Sequence, residues 1–235
     1  MFRFHFGSHQ ILIHSARISV IIPVLNEAEN IAATVASTKN VEVIVVDGGS
    51  QDSTVQIAKE LGVKVLGSNT ASRAQQMNAG AQTATGDILL FLHADTRLPI
   101  QFDTMVYRAM ASNIVAGAFA LRIDSALWRL RLVEMGVNMR SRIFALPYGD
   151  QAIFLKAQLF HELGGFANLP IMEDFELICR LRRKGRIAII STPIITSKRR
   201  WQKLGIIQTI FINQVAIIAY LLRISPQRIA DWYRR

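Results

Sequence analysis

The stretch from Ile18 to Thr54, ISVIIPVLNEAENIAATVASTKNVEVIVVDGGSQDST, decides the fold. It holds two β-branched apolar runs, Ile18–Val24 and Val41–Val46. Between them Glu27–Ser37 has a helical pattern, with Asn26 as its N-cap. The polar turn Asp47-Gly48-Gly49-Ser50 ends the second run. A strand that is apolar throughout is buried on both faces, as in a parallel sheet sandwiched between helices. The rhythm continues downstream. Helices are expected over Ser53–Leu61, closed by Gly62, over Arg73–Ala84 and over Ile100–Ser112. Strands are expected over Val63–Leu66, Ile88–Leu92 and Val115–Ile123. The class is therefore α/β, with a mainly parallel central sheet and helices on both faces. Beyond Ile123 the spacing predicts a helix over Trp128–Arg142, a strand over Gln151–Leu155 and a helix over Lys156–Leu163 before Gly164-Gly165. A further helix over Glu173–Lys184 stops at Gly185 with cations in its last turn, where they suit the dipole.

Composition limits the function classes. The chain has 235 residues, 51% of them hydrophobic and 19% charged, with a mean hydropathy of +0.26. This excludes disordered and collagen-like chains. A single Cys, Cys179, excludes a disulfide framework and a Cys-based zinc site, and points to a reducing compartment. The net charge of +10 is unevenly placed. Residues 180–235 carry 13 Lys and Arg against one acid, Asp231, whereas residues 1–179 carry 14 against 16. Inside the basic tail lies Gly205–Leu222, an 18-residue, nearly apolar stretch. Charge flanking such a stretch favours an anionic membrane surface over nucleic acid. The stretch reads as an interfacial helix, as a buried or partner-binding helix, or as a minimal span. Residues 1–17 lack a long apolar run and read as an N-terminal extension rather than a signal peptide.

In an α/β sheet, ligands bind beyond the carboxyl ends of the strands. The polar clusters at residues 47–52 and 93–97 occupy such ends. The turn after the first strand has no Gly, and no P-loop occurs, so a dinucleotide fingerprint is absent. Asp47 reads either as a turn residue satisfying backbone N–H groups or as an acceptor for a base or ribose. Asp52 reads as a helix cap. His93 and Asp95, two apart at a strand end, suit Mn²⁺ or Mg²⁺ on a diphosphate, or else form a merely polar strand end. Arg97 beside them is a solvated cation or a phosphate contact. Glu173 and Asp174 either complement a helix N-terminus or supply a general base and its neighbour. Ser197–Trp201, SKRRW, is either a solvated basic run or a phosphate-binding loop.

Taken in order, Ile21-Ile22-Pro23-Val24-Leu25-Asn26-Glu27, Asp47–Thr54, Asp95, Gly164-Gly165-Phe166 and Glu173-Asp174 resemble the family 2 glycosyltransferases. The resemblance runs from about Ile18 to Trp201, and is strongest to the small bacterial radical-SAM/selenodomain-associated members. It implies a GT-A fold over residues 18–201 with a basic, apolar helical tail over 202–235, and an inverting transfer from a nucleotide sugar. A UDP-sugar donor and a lipid-linked or carotenoid-like acceptor are implied, with a divalent metal as cofactor. By the same resemblance Pro23, Asn26 and Glu27 border the nucleotide, and Asp47 takes the uracil or ribose. Arg73, with Gln76, Asn78 and Gly80 behind it, approaches the donor phosphates, where Ala94 and Arg200 also belong. Asp95 is the last Asp of the D-x-D metal motif, with His93 in place of the first. Asp174 is the base, and Glu173 and Trp201 lie near the acceptor. Ser197 stands where the family's Q-x-x-R-W motif has Gln. The expected location is cytoplasmic, peripheral on the inner membrane face. A sugar nucleotidyltransferase and a non-catalytic nucleotide-binding or membrane-docking module are the rival readings. A nucleic-acid binder is disfavoured by the near-neutral body.

Overall fold

The structure, a computed structural model, describes residues 16–68, 70–110 and 113–233. Most of the N-terminal extension expected over 1–17 therefore lies outside the described residues.

Strand β1 (Ile18–Val24) is buried at all seven positions. Ile18, Val20, Ile22 and Val24 face one layer, with Ile31 of α1 (Ile31–Ala36), Ala58 of α2 (Thr54–Glu60), and Phe102 and Val106 of α4 (Phe102–Met110). Ile21 faces the other. There it meets Ala74, Met77 and Ala81 of α3 (Arg73–Thr83) and Leu177, Ile178 and Leu181 of α7 (Glu173–Arg182). Alternate residues thus serve opposite cores, as the pleat requires. Each buried Ile, Val, Leu, Met or Phe among them contributes about 1.5–3 kcal/mol, and each Ala less. Gly80 sets the approach of α3: a Cβ there would lie 2.5 Å from Ile21 Cγ2 and 3.1 Å from Val46 Cγ2.

The remaining strands are β2 (Glu42–Asp47), β3 (Lys64–Gly67), β4 (Ile88–Phe91), β5 (Thr96–Arg97), β6 (Ile114–Ile123), β7 (Phe154–Lys156) and β8 (Arg186–Thr196). Among the described residues they form one sheet in the order β3-β2-β1-β4-β7-β6-β8-β5. The β3-β2-β1-β4 half is parallel, as is β6 beside β8. β7 runs antiparallel to both neighbours, and β5 is antiparallel to β8. The mainly parallel α/β sheet with helices on both faces is therefore present, with a mixed second half.

Several boundaries differ from the sequence reading. α1 starts at Ile31, with Asn30 before it, and not at Glu27. Asn26 is not its cap: it takes φ +54° in the preceding turn. Gln151 belongs to a 3₁₀ turn (Gly149–Gln151), and Ala152 at φ +51° turns the chain into β7. β8 has no counterpart in the sequence reading. Its apolar run is interrupted by Ser191-Thr192-Pro193, which bulges where Phe119 and Ala120 oppose Ile190 and Pro193. Proline cannot donate to a ladder and is tolerated at such a bulge.

The tail forms α8 (Arg199–Leu204), α9 (Ile206–Leu221) and α10 (Pro226–Tyr233), following α5 (Trp128–Phe144) and α6 (Ala157–Glu162) in chain order. No helix among the described residues is long and apolar enough to cross a membrane. Sixteen residues of α9 reach only about 24 Å, against the ~30 Å hydrocarbon core. Ala216 of α9 and Ile229 of α10 pack on Met172 and Phe175 at the start of α7. The tail is thus built onto the body, and its helices form part of the site.

Candidate active site

The carboxyl ends of β1, β2 and β4 converge on a shelf of loops. The loops after β1 and β2 are laced together. Asn26 N donates to Ser50 Oγ at 2.9 Å, and Gln51 N to Asn26 Oδ1 at 2.8 Å. Glu27 N donates to Thr54 Oγ1 at 2.8 Å, and Ala28 N to Asp52 Oδ2 at 3.1 Å. Asp52 also accepts from Thr54 N at 3.0 Å at the start of α2. Gln76, buried on α3, donates to Val24 O at 2.9 Å and to Val46 O at 2.7 Å, pinning the ends of β1 and β2. Pro23 lies in β1 opposite Val46.

Asp47 ends β2 and turns back on its own loop. Its carboxylate accepts from Gly49 N at 3.0 Å and from Ser50 N at 3.1 Å. Asn78 turns away from the shelf. It accepts from Phe166 N at 2.9 Å and donates to Phe166 O at 2.8 Å, clamping the Gly165-Phe166 loop. Ala94 is buried, and its carbonyl accepts from Thr34 Oγ1 at 2.6 Å.

A cavity of about 120 Å³ is walled by Arg73, His93, Tyr148, Asp150, Asp174 and Arg200, with α9 and α10 completing it. Asp174 is in the first turn of α7, just after Met172 at φ +68°. Its Oδ2 accepts from Gly149 N at 2.6 Å and its Oδ1 from Phe175 N at 2.8 Å. Gly149 is required here: a Cβ would lie 2.9 Å from Asp174 Oδ2 and 3.3 Å from His93 Nε2. Burial, and then the Arg73 guanidinium, push the His93 pKa down to about 4, against the pull of Asp95 and Asp174. His93 is therefore neutral at pH 7. Burial holds the Asp150 carboxyl above the usual range, although Arg140 opposes this. Arg73 Nε donates to Glu173, which is 2% exposed. Glu173, itself buried, is thus spent on an ion pair with the half-exposed Arg73. Arg200 donates to Asn213 Oδ1 at 2.9 Å, with its guanidinium 4.8 Å from the centre of the Tyr233 ring.

Asp95 opens onto a different cleft, beside Asn30, Thr34, Arg97 and Lys198. His93 and Asp95 therefore line separate cavities, because the chain turns between them after β4 has ended at Phe91. Arg199 Nη2 donates to both Glu27 carboxylate oxygens at 2.7 Å and to Asp95 Oδ2 at 3.3 Å. Arg97 pairs with Asp124 at 2.7 Å. Trp201 lies outside the Asp174 cavity, in the wall of an apolar hollow beside α5. Among the described residues no three His, Cys, Asp or Glu side chains converge closely enough to hold a metal alone. The donor set fits an ion shared between the Asp95 carboxylate and substrate phosphates, as hard divalent cations are commonly held.

Sequence reasoning missed the run Tyr148-Gly149-Asp150, whose signal was a polar Gly-Asp-Gln cluster between a helix and a strand. It placed Gln76 near the donor phosphates and Arg199 in a basic run, whereas Gln76 pins β1 and β2 and Arg199 pairs with Glu27 and Asp95.

The family model Glycosyl transferase family 2 matches residues 19–167. The chain is 29% identical over 152 residues to an undecaprenyl-phosphate 4-deoxy-4-formamido-L-arabinose transferase of Pseudomonas fluorescens. That match covers 56% of this chain and 44% of the relative, so the chain spans less than half of that protein. Among solved structures it resembles a mannosyltransferase of Pyrobaculum calidifontis in complex with GDP-Man and Mn²⁺. The TM-score is 0.61 at 20% identity, over 77% of this chain and 56% of that one. It also resembles a Mycobacterium tuberculosis glucosyl-3-phosphoglycerate synthase in complex with Mn²⁺, UDP-glucose and glycerol 3-phosphate. Here the TM-score is 0.57 at 21% identity, over 75% of this chain and 70% of that one. Both likenesses show the GT-A fold. The family match takes in well over half of the sequence, from β1 past α6, and on it the chain belongs to glycosyltransferase family 2.

Proposed function

We propose that the protein moves a sugar, with inversion, from a nucleoside-diphosphate sugar to a hydroxyl- or carboxyl-bearing acceptor of lipid-linked or otherwise hydrophobic character. A UDP-sugar is the favoured donor. The observation that carries this reading is Asp174, whose carboxylate is fixed by two backbone N–H groups at the wall of a cavity. A carboxylate so fixed is placed to take a proton from a hydroxyl entering that cavity. The acceptor oxygen bonds to the anomeric carbon while that carbon's bond to the diphosphate oxygen breaks. The proton passes to Asp174, and the electron pair leaves with the nucleoside diphosphate. Arg73 and Arg200 set positive charge in the same cavity, where it opposes the negative charge that builds on the leaving group. A divalent ion, Mn²⁺ or Mg²⁺, held by Asp95 would supply Lewis-acid neutralisation of the diphosphate. His93, being neutral, serves as a hydrogen-bonding wall. The nucleotide shelf is the ends of β1 and β2 at Pro23 and Asp47, with the laced loops that carry Asn26 and Glu27.

The donor class draws support from the nucleotide sugars named in the structural relatives, and the lipid-linked acceptor from the undecaprenyl-phosphate transferase. The basic tail and the outward apolar residues of α9 support peripheral attachment at the inner membrane face. The test is Asp174→Asn. Turnover falls by about 10²–10⁴-fold, while the rise in melting temperature on adding UDP and Mn²⁺ is kept. An Asp174→Asn enzyme that turns over like the wild type overturns the base assignment.

A further inference from the structure

A second hollow, of about 550 Å³, opens between α5 and the α8–α9 segment. Leu132, Val133 and Val137 wall it on one side, and Trp201, Ile206 and Ile210 on the other. Its volume is that of a small-molecule site. Tyr148, Asp150 and Asn213 line both this hollow and the Asp174 cavity, so the two abut across these side chains. At that seam Asp150 Oδ1 is buried and has no hydrogen-bond partner among the described residues. Buried polar atoms are normally paired, and a hydroxyl arriving through the seam supplies the missing donor. Two further features restrict the occupant. Arg140, on the wall, is already committed. Its guanidinium lies 3.4 Å from the centre of the Tyr148 ring and donates to Leu146 O at 3.0 Å and Gln151 Oε1 at 3.2 Å. It is not free to clamp a phosphate, and Arg129, the other arginine in the lining, stands exposed eleven residues, about 16 Å, back along α5 from the seam. Gly136 of α5 faces the hollow, and a Cβ there would meet nothing within 4 Å.

We propose that this groove holds the apolar body of an uncharged acceptor, an alkyl or isoprenoid alcohol, and delivers its hydroxyl past Asp150 to Asp174. The inference rests on the transferase reading and deepens it. It names the acceptor's class and the path by which it reaches the base. The groove grades alcohols by length, because each methylene buried against α5 and α9 tightens binding by roughly two- to fourfold.

The test uses the full chain carrying Trp128→Phe and Trp232→Phe, so that Trp201 is the fluorophore left. A bromine-tagged dodecanol quenches it saturably, and untagged octanol, decanol and dodecanol displace the tag with increasing affinity. Gly136→Phe fills the groove without touching the catalytic cavity. It raises the Kd for the tagged alcohol, and the KM for dodecanol, at least tenfold, while the UDP-induced rise in melting temperature is unchanged. Three results overturn the proposal. One is a Gly136→Phe protein that binds dodecanol like the parent. Another is affinity that ignores chain length. The third is a concentration-dependent dimer that Gly136→Phe dissolves, which makes the groove a contact with a second copy. The underlying reading fails separately. Saturable quenching with no response to any nucleotide keeps the groove and removes the transferase, whereas a response to UDP without quenching does the reverse.

Discussion

Replacing Glu173 by Gln removes one buried charge beside the site and leaves Arg73 without its ionic partner. Glu173 is 2% exposed and Arg73 is 43% exposed. Breaking a wholly buried pair costs about 3–5 kcal/mol, and an exposed pair is worth about 0–1 kcal/mol. This pair lies between those limits. The freed guanidinium can rehydrate, and the new amide still offers Arg73 an acceptor. The loss should therefore be about 1–3 kcal/mol. With a slope near the upper end of the range for small proteins, about 3 kcal/mol per molar urea, the midpoint moves down by roughly 0.3–1 M. Urea unfolding followed by far-UV circular dichroism measures it. A midpoint unchanged within about 0.2 M, or one that rises, refutes the assignment of Glu173 as a stabilising partner. The double variant Arg73→Leu/Glu173→Leu is the control. It should regain most of the lost stability, since apolar replacement of both members removes the orphaned charge. It should still fail as an enzyme, since Arg73 also lines the Asp174 cavity.

Two further predictions concern the cleft and the seam. Arg199→Ala frees Asp95 and Glu27; with Arg199 44% exposed, stability should change by less than about 1 kcal/mol. If Arg199 competes with the metal for Asp95, the Mn²⁺ concentration needed for half-maximal UDP-induced stabilisation should fall, and an increase refutes that competition. Asp150→Asn should raise the urea midpoint at pH 7. The folded-state pKa of Asp150 is raised, so its ionisation is a cost that appears as pH climbs above the ordinary carboxylate value. The advantage of the Asn variant should shrink toward acid pH, where the native carboxyl is protonated too. An advantage that grows on acidification would contradict the raised pKa.

The parallel half of the sheet was legible because β1, β2 and β4 are buried on both faces and so read as nearly continuous apolar runs, broken only by Ser19, Glu42 and Asp47. The second half was not. β8 carries Ser191-Thr192-Pro193 in its middle, and only its neighbour β6 explains why that bulge is tolerated. At the site, Asp174 was visible as an acid at a helix start, and the structure puts it in a cavity with His93. Side-chain direction was beyond the sequence. Arg199 and Arg200 are adjacent on α8, yet one reaches Glu27 and Asp95 and the other reaches Asn213. Asn78 and Glu173 carry side chains suited to ligands, but the first spends its amide on a loop and the second spends its charge on Arg73. Such commitments arise from tertiary neighbours that are distant in sequence.

One side of the Asp174 cavity comes from Asn213, Ala216, Ile217 and Tyr233 of α9 and α10, whereas the other is set by Arg73, His93, Tyr148 and Asp150 and the start of α7. Synthesis runs from the amino terminus, and a chain folds as it emerges. Asp174 and the strands therefore emerge before the helices that cover the pocket, and until α9 and α10 follow Asp174 lacks their cover. The pocket proposed for transfer is thus closed only when α9 and α10 dock on Met172 and Phe175.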